Sequence, residues 1–377
     1  MRLAEIMALR QDVCAGVLVT LTERCPLHCA HCSFAAGLRG RHLDAEHLLR
    51  FVGTFDQRRP PQILMLTGGE PLLRPDLVTR TAYAANAAGT RTAVLTGAFF
   101  ARGGDLPAPI RRAARAVDHF SLSLDVFHEQ EVARADVFEV LRALLRDGTA
   151  TSLHVTGSGA DDPYLAEVTA QVEAEFGEDV PMLVAGVQPI GRAASWARAV
   201  TAADDSVAPC ATAAWPVIAV DGVVVACCNQ DVVDGRTRPD HLVLGDIATS
   251  DWASVQERAQ ERPMLRMVRT VGPLHIATRA TASCAAFTPA NGTTLTQPTP
   301  TGTPVPPALT SLAPTDYCGT CHLLSDSPAA LSWASRTGSG PVGELLQAAA
   351  LHDSGDPQAL LRRHGIPRYA HLVGGEA

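Results

Sequence analysis

Six apolar, strand-like runs alternate with helix-like stretches through the first half of this 377-residue chain, and that alternation constrains the fold more than any other feature. Val17 to Val19, Ile63 to Leu66, Arg91 to Leu95, His119 to Leu124, Thr151 to Val155 and Met182 to Val187 read as strands. Between them, Asp44 to Asp56, Pro75 to Ala88, Ala108 to Ala116, Glu129 to Arg146 and Pro163 to Phe176 read as helices. Two of these open on Pro, and two close at Asp147-Gly148 and Gly177. Parallel strands need a crossover between them, so repeated βα units with short links predict a parallel sheet. Curled, six units make an α/β fold, a partial (β/α)6 barrel, whose sites gather at the carboxyl ends of its strands.

The loop after the first strand carries Cys25, Cys29 and Cys32 in a C-x3-C-x2-C triplet. Three thiolates so closely spaced can hold three irons of a [4Fe–4S] cube and leave the fourth iron open to a ligand. A structural zinc site is the competing reading, but His28 and His31 lie inside the triplet, too close to form a separate half-site. No charged-then-apolar segment opens the chain, so a cytoplasmic, reducing setting without disulfides is expected. No apolar run is long enough to span a bilayer, and a net charge of −8 argues against a partner held through nucleic-acid phosphates. All 31 basic residues are Arg, which removes lysine Schiff-base and lysine general-base chemistry.

The second strand-like run ends in Thr67-Gly68-Gly69-Glu70-Pro71. With the cysteine triplet before it, this resembles the radical S-adenosylmethionine (radical SAM) superfamily, whose signature is C-x3-C-x-φ-C after the first strand and GGEP after the second. In that family φ is usually aromatic; here it is His31. The resemblance implies a partial TIM-like barrel in which Cys25, Cys29 and Cys32 ligate a [4Fe–4S] cluster whose open iron binds S-adenosyl-L-methionine (SAM). Gly68, Gly69 and Glu70 match the turn that meets the methionyl amine, and His31 matches the position packed near the adenine. Ser123 and Asp125 lie on a fourth-strand motif whose polar residues reach the ribose; alternation on a half-buried strand and an ordinary cap explain them equally well. Gln188-Pro189-Ile190-Gly191-Arg192 resembles a sixth-strand terminus that often faces substrate, and a surface loop is its competing reading. A one-electron reductant such as ferredoxin or flavodoxin is implied as a partner.

Beyond the barrel, Cys210, Gly222 and Cys227 form C-x11-G-x4-C, with Val217 to Val225 reading as a hairpin about Asp221-Gly222, and Cys318-x2-Cys321 follows later. This resembles the auxiliary-cluster extension of SPASM and twitch proteins. The full SPASM pattern needs seven cysteines and nothing follows Cys321, so the count suits one auxiliary [4Fe–4S] cluster held by Cys210, Cys227, Cys318 and Cys321. A zinc knuckle made by the same four is the alternative. The expected division is a barrel over 1–200, an auxiliary domain over 205–330 and a helical tail over 331–377. The Thr-, Pro- and Ala-rich stretch from Thr278 to Thr315 reads as an insertion, either a lid or a mobile segment. Cys14 reads as a buried small hydrophobe. Cys228 could exchange with Cys227 as ligand, and Cys228 and Cys284 are candidate hydrogen donors.

The resemblance implies reductive cleavage of SAM to a 5′-deoxyadenosyl radical that takes a hydrogen from substrate. Proteins of the SPASM type mostly mature ribosomal peptides by cross-linking, oxidation or epimerisation, which is the favoured reading here. Twitch proteins more often oxidise small alcohols such as an aminocyclitol. That alternative draws on the start of the barrel within about the first 15 residues, which leaves no room for a peptide-recognition domain ahead of it. A non-enzymatic metal scaffold is the remote alternative.

Overall fold

A computed structural model describes residues 1–55, 59–197, 209–285, 317–352, 361–362 and 365–374. The chain enters through helix α1 (Leu3–Ala8) and then alternates strand and helix: β1 (Gly16–Thr20), α2 (Ala45–Val52), β2 (Ile63–Thr67), α3 (Pro75–Ala87), β3 (Arg91–Thr96), α4 (Ala108–Ala116), β4 (His119–Ser123), α5 (Arg134–Arg146), β5 (Thr151–Gly157), α6 (Pro163–Phe176) and β6 (Met182–Gly186). Strands β1 to β6 pair in sequence order, all parallel, with Gly16 opposite Ile63 and Leu153 opposite Met182. The sheet is apolar on both faces, as parallel strands covered by crossover helices must be; Val17, Val19, Leu64, Leu66 and Phe120 are fully buried. This is the predicted α/β partial barrel.

The helices begin and end where local chemistry dictates. Asp44 caps α2 by accepting from the His47 N–H, and Asp162 caps α6 by accepting from the Tyr164 N–H. Gly177 closes α6 at φ +55°, a conformation that costs other residues strain. One helix start differs from expectation. The predicted Glu129 to Arg146 helix begins only at Arg134, because the Asp125 carboxylate accepts from the N–H groups of Phe127 and His128 and folds the preceding residues into a turn.

Three more strands extend the sheet: β7 (Val217–Ile218), β8 (Val223–Val225) and β9 (Val243–Asp246). β7 lies parallel to β1, with Leu18 opposite Val217, and β8 and β9 follow antiparallel. The Asp221-Gly222 turn joins β7 to β8, with Gly222 at φ +92°. Trp215, just before β7, is buried against Gly16, where any side chain would overlap the indole ring.

The remaining helices are α7 (Gln230–Val233), α8 (Trp252–Glu261), α9 (Pro263–Thr270), α10 (Pro273–Ala285), α11 (Tyr317–Leu323), α12 (Pro328–Gly338) and α13 (Gly340–His352). Met267 and Val268 of α9, Ile276 and Ala280 of α10, and Ala330 and Ala334 of α12 form a second apolar cluster, with Cys210 and Cys321 packed against it. The expected insertion from Thr278 is therefore helical as far as Ala285; its residues 286–315 lie outside the described residues. At the far end, the 3₁₀ segment Pro367–Val373 packs beside the edge strand β6, where the Ile366 N–H donates to the Val184 carbonyl. Among the described residues no helix is long and apolar enough to cross a membrane.

Candidate functional site

The loop after β1 and the turn after β2 are laced together by backbone bonds. The Gly69 N–H donates to the Thr22 carbonyl at 2.6 Å, and the Glu70 N–H donates to the Arg24 carbonyl at 2.8 Å. Both glycines are needed for this approach. A Cβ at Gly68, whose φ is +134°, would lie 2.6 Å from the Thr22 carbonyl oxygen, and one at Gly69 would overlap the Arg24 carbonyl.

Cys25 and Cys29 are buried and Cys32 is partly exposed. Burial pushes the Cys25 thiol up to about 12; the Leu27 N–H at 3.4 Å opposes this, while Glu70, Cys29 and Cys32 add to it. Cys29 and Cys32 thus lie near enough to Cys25 to act on its charge, and a cationic iron core would neutralise three such thiolates. The donor set fits a [4Fe–4S] cluster with one iron left for another ligand.

Glu70 lies beneath the turn with no exposed surface. Its carboxylate accepts from the Leu72 N–H at 2.9 Å, the Gly97 N–H at 2.9 Å and the Thr96 hydroxyl at 2.8 Å. Burial nevertheless raises its pKa to about 7. Three hydrogens on a group with about four acceptor positions leave one for a further donor.

Beyond β4, three side chains converge: ligand atoms of His31, Asp125 and His128 all lie within 4.8 Å of one another. His128 Nδ1 is 2.8 Å from Asp125 Oδ2, and His31 Nε2 is 3.4 Å from the same oxygen. Burial works against a charge on His128, but bonds to Asp125 and to the Cys29 sulfur hold its pKa up at about 10. Burial would also raise Asp125; His128 and His31 hold it below the ordinary carboxylate range. Burial depresses His31, so its imidazole is neutral, with Nε2–H toward Asp125 and Nδ1 buried without a partner among the described residues. Its ring lies 4.6 Å from Phe127, which lies 5.5 Å from Trp196. Ser123 stands half-buried at the end of β4, its backbone paired with His154.

Residues after β6 close over the cysteine loop. Arg192 donates through Nε to the Cys29 carbonyl at 2.9 Å and through Nη1 to the Ala36 carbonyl at 2.6 Å. Gly191 sits against the Cys32 and Ser33 carbonyls with no room for a side chain, and Trp196 Nε1–H donates to the Ala30 carbonyl at 3.2 Å. Gly191 and Arg192, read from sequence as substrate-facing or surface loop, thus hold the cysteine loop.

A second thiol group forms outside the barrel. Cys227 is buried while Cys228, beside it, is exposed. Burial raises the Cys227 thiol, as do the nearby sulfurs of Cys228, Cys210 and Cys318; Cys321 is raised by burial and by Cys210, Cys227 and Cys318. The thiols of Cys210, Cys227, Cys318 and Cys321 thus lie near enough to act on one another's charge, drawn from the turn before β7, the end of β8 and α11. His241, buried and unflagged by any motif, places Nε2 3.6 Å from Cys321 Sγ and Nδ1 2.9 Å from Ser325 Oγ. Cys14 is buried, its N–H donating to the Ala214 carbonyl at 2.9 Å, and the side chain of Cys284, in the last turn of α10, lies outside the described residues.

Residues 19–169 match the family model of the Radical SAM superfamily. Over 151 residues, 38% of this chain and 39% of the relative, it is 34% identical to a PqqA peptide cyclase of Streptomyces rochei. A PqqA peptide cyclase of Ruegeria pomeroyi is 40% identical over 114 residues, 29% of this chain and 28% of the relative. The match thus spans about two fifths or less of these relatives' length. The Streptococcus suis SuiB structure bound to precursor peptide SuiA superposes with a TM-score of 0.48 at 10% identity, over 65% of each chain.

Proposed function

We propose that this radical SAM protein cleaves SAM reductively and uses the resulting radical to modify a ribosomally made peptide. The family implies SAM and a [4Fe–4S] cluster. Cys25, Cys29 and Cys32 would hold that cluster. When bound and reduced, it supplies the electron that splits SAM into methionine and a 5′-deoxyadenosyl radical.

The chain's own residues have separable tasks in this reading. Gly68 and Gly69 let the backbone approach the cofactor, and the spare acceptor position on Glu70 suits the methionyl amine. The neutral His31 ring offers a flat face for the adenine beside Phe127, and its orphaned Nδ1 offers an acceptor to the exocyclic amine. Asp125 fixes the orientation of both His31 and His128, so its part in the site is to position imidazoles as well as to approach the ribose. Ser123, at the same strand end, is the second ribose candidate. Arg192 and Trp196 hold the loop closed against water.

Cys210, Cys227, Cys318 and Cys321 would hold one auxiliary [4Fe–4S] cluster able to take an electron back from the substrate radical, with ferredoxin or flavodoxin as the external reductant. Burial of Cys227 and exposure of Cys228 favour Cys227 as the ligand. Cys228, which is exposed, is a hydrogen-donor candidate should the reaction be redox-neutral. The expected division into barrel, auxiliary unit and tail belongs to the same reading.

Peptide modification is carried by the likeness of residues in the barrel to two proteins named PqqA peptide cyclase. Incubation with reductant, SAM and a candidate precursor peptide tests it by product mass. Loss of two hydrogens supports oxidation or cross-linking, and unchanged mass with solvent deuterium uptake supports epimerisation. An unmodified peptide beside an oxidised aminocyclitol overturns the peptide reading.

A further inference from the structure

Arg269, on α9, is buried to within 6% of full exclusion, yet its charge is not paired. Its Nε and Nη1 have no hydrogen-bond partner among the described residues, and Nη2 reaches only the Gln347 side-chain oxygen, at 3.3 Å. Among the described residues no carboxylate comes within 4.0 Å of it. Its neighbour Arg266, equally buried, is served differently: it donates to the Gly338 and Gln260 carbonyls and lies 3.7 Å from Glu261. An unpaired guanidinium in such a setting is strongly unfavourable, so a buried Arg of this kind needs an anion nearby.

Cys14 and Cys210 both lie near enough to act on its charge. Cys14 does not supply the charge, since burial pushes its thiol up to about 12 and keeps it protonated. Cys210 is different. Its N–H donates to the carbonyl of Val268, the residue before Arg269, at 3.0 Å, so one turn of α9 holds both the Cys210 backbone and the guanidinium. Cys210 in turn belongs to the group formed with Cys227, Cys318 and Cys321. At Cys321 of that group, the Ser325 hydroxyl can donate to His241 Nδ1, which leaves Nε2–H directed at Cys321 Sγ. A cation near Cys210 and an N–H donor at Cys321 both favour added negative charge on the group.

We propose that Arg269 is the built-in counter-cation of the four-cysteine site, a positioning residue that raises the reduction potential of the cluster held there and fits it to accept an electron. This rests on the reading that those four cysteines hold an auxiliary iron–sulfur cluster. Charge beside a cluster is one of the levers that set its potential, and a nearby cation stabilises the more negative, reduced form.

The test uses full-length protein in which Cys25, Cys29 and Cys32 are changed to Ala, so that only the auxiliary site is observed. After anaerobic reconstitution, iron is counted and the cluster is titrated electrochemically with detection by electron paramagnetic resonance. Arg269→Met is expected to move the midpoint potential to more negative values and Arg269→Lys to hold it near the parent. In the iron-free protein, Arg269→Met should raise the melting temperature, because the unpaired charge is gone; a packing role alone would lower it. A parent that binds iron with a potential unmoved by Arg269→Met overturns the Arg269 assignment and leaves the auxiliary cluster standing. A parent that binds no iron overturns both. Should Arg269→Met not fold, a potential unmoved in Arg269→Gln overturns the assignment equally.

Discussion

At Asp125 one carboxylate faces two imidazoles, His128 at 2.8 Å and His31 at 3.4 Å, while also accepting from two backbone N–H groups. Removing it leaves a buried imidazolium beside Cys29 with no counter-charge. Asp125→Ala should therefore cost about 3–5 kcal/mol of unfolding free energy in denaturant titration, the range for breaking one side of a buried ion pair. Asp125→Asn keeps an acceptor for the turn but loses the charge as well, and should cost nearly as much. A clearly smaller loss in Asp125→Asn than in Asp125→Ala would show that the turn bonds, and not the charge pairing, carry the effect. The pairing was half-legible in the sequence. Asp125-x2-His128 is a spacing that lets a carboxylate bond an imidazole across a turn, but nothing local tells that His31, from another loop, joins them. Arg269 and His241 carry no spacing signal at all, since each acquires its meaning only from partners that folding brings near.

Among the elements, strands and helices with strong local chemistry were readable. The run Ile63 to Leu66 is apolar throughout, and α6 carries its own stop signal in Gly177. The start of α5 was not, because a side-chain bond from Asp125 competes with the helix there. The 3₁₀ segment Gly191–Ser195 shows the same limit: Arg192 grips carbonyls more than 150 residues away, a contact no local pattern encodes. Arg192→Met should release the Cys29 and Ala36 carbonyls, each bond to a charged donor being worth about 1.5–3 kcal/mol. Faster proteolytic cleavage within 33–41 and lower iron occupancy at the first site are the expected results. Unchanged proteolysis and full iron would mean that the loop is held by Trp196 and the Thr22 and Arg24 bonds alone.

For the whole molecule, the sheet is the common frame. β7 joins β1 directly, so the cysteine loop of the barrel and the hairpin leading to Cys227 grow from neighbouring strands. Stability of this frame should depend on pH through His119, which is buried in β4 with Nδ1–H toward the Met1 carbonyl at 2.9 Å and Nε2 2.8 Å from Ser152 Oγ. Burial lowers its pKa to about 4. The folded state thus binds a proton less readily than the unfolded chain does, and stability is complete above about pH 6.5 and falls as pH drops toward 4. Over that interval the linkage amounts to about 3 kcal/mol for one histidine. His119→Gln should flatten the acid side of the stability profile, and an unaltered profile would assign the acid sensitivity elsewhere.

The central claim is that Cys25, Cys29 and Cys32, held under the Gly68-Gly69-Glu70 turn, form the site at which SAM is cleaved. It is tested most directly by anaerobic reconstitution followed by reduction with dithionite in the presence of SAM, measuring 5′-deoxyadenosine. The intact protein should form it, and the variant with all three cysteines changed to Ala should form none while its auxiliary site keeps iron. Continued 5′-deoxyadenosine formation by that variant would contradict the account.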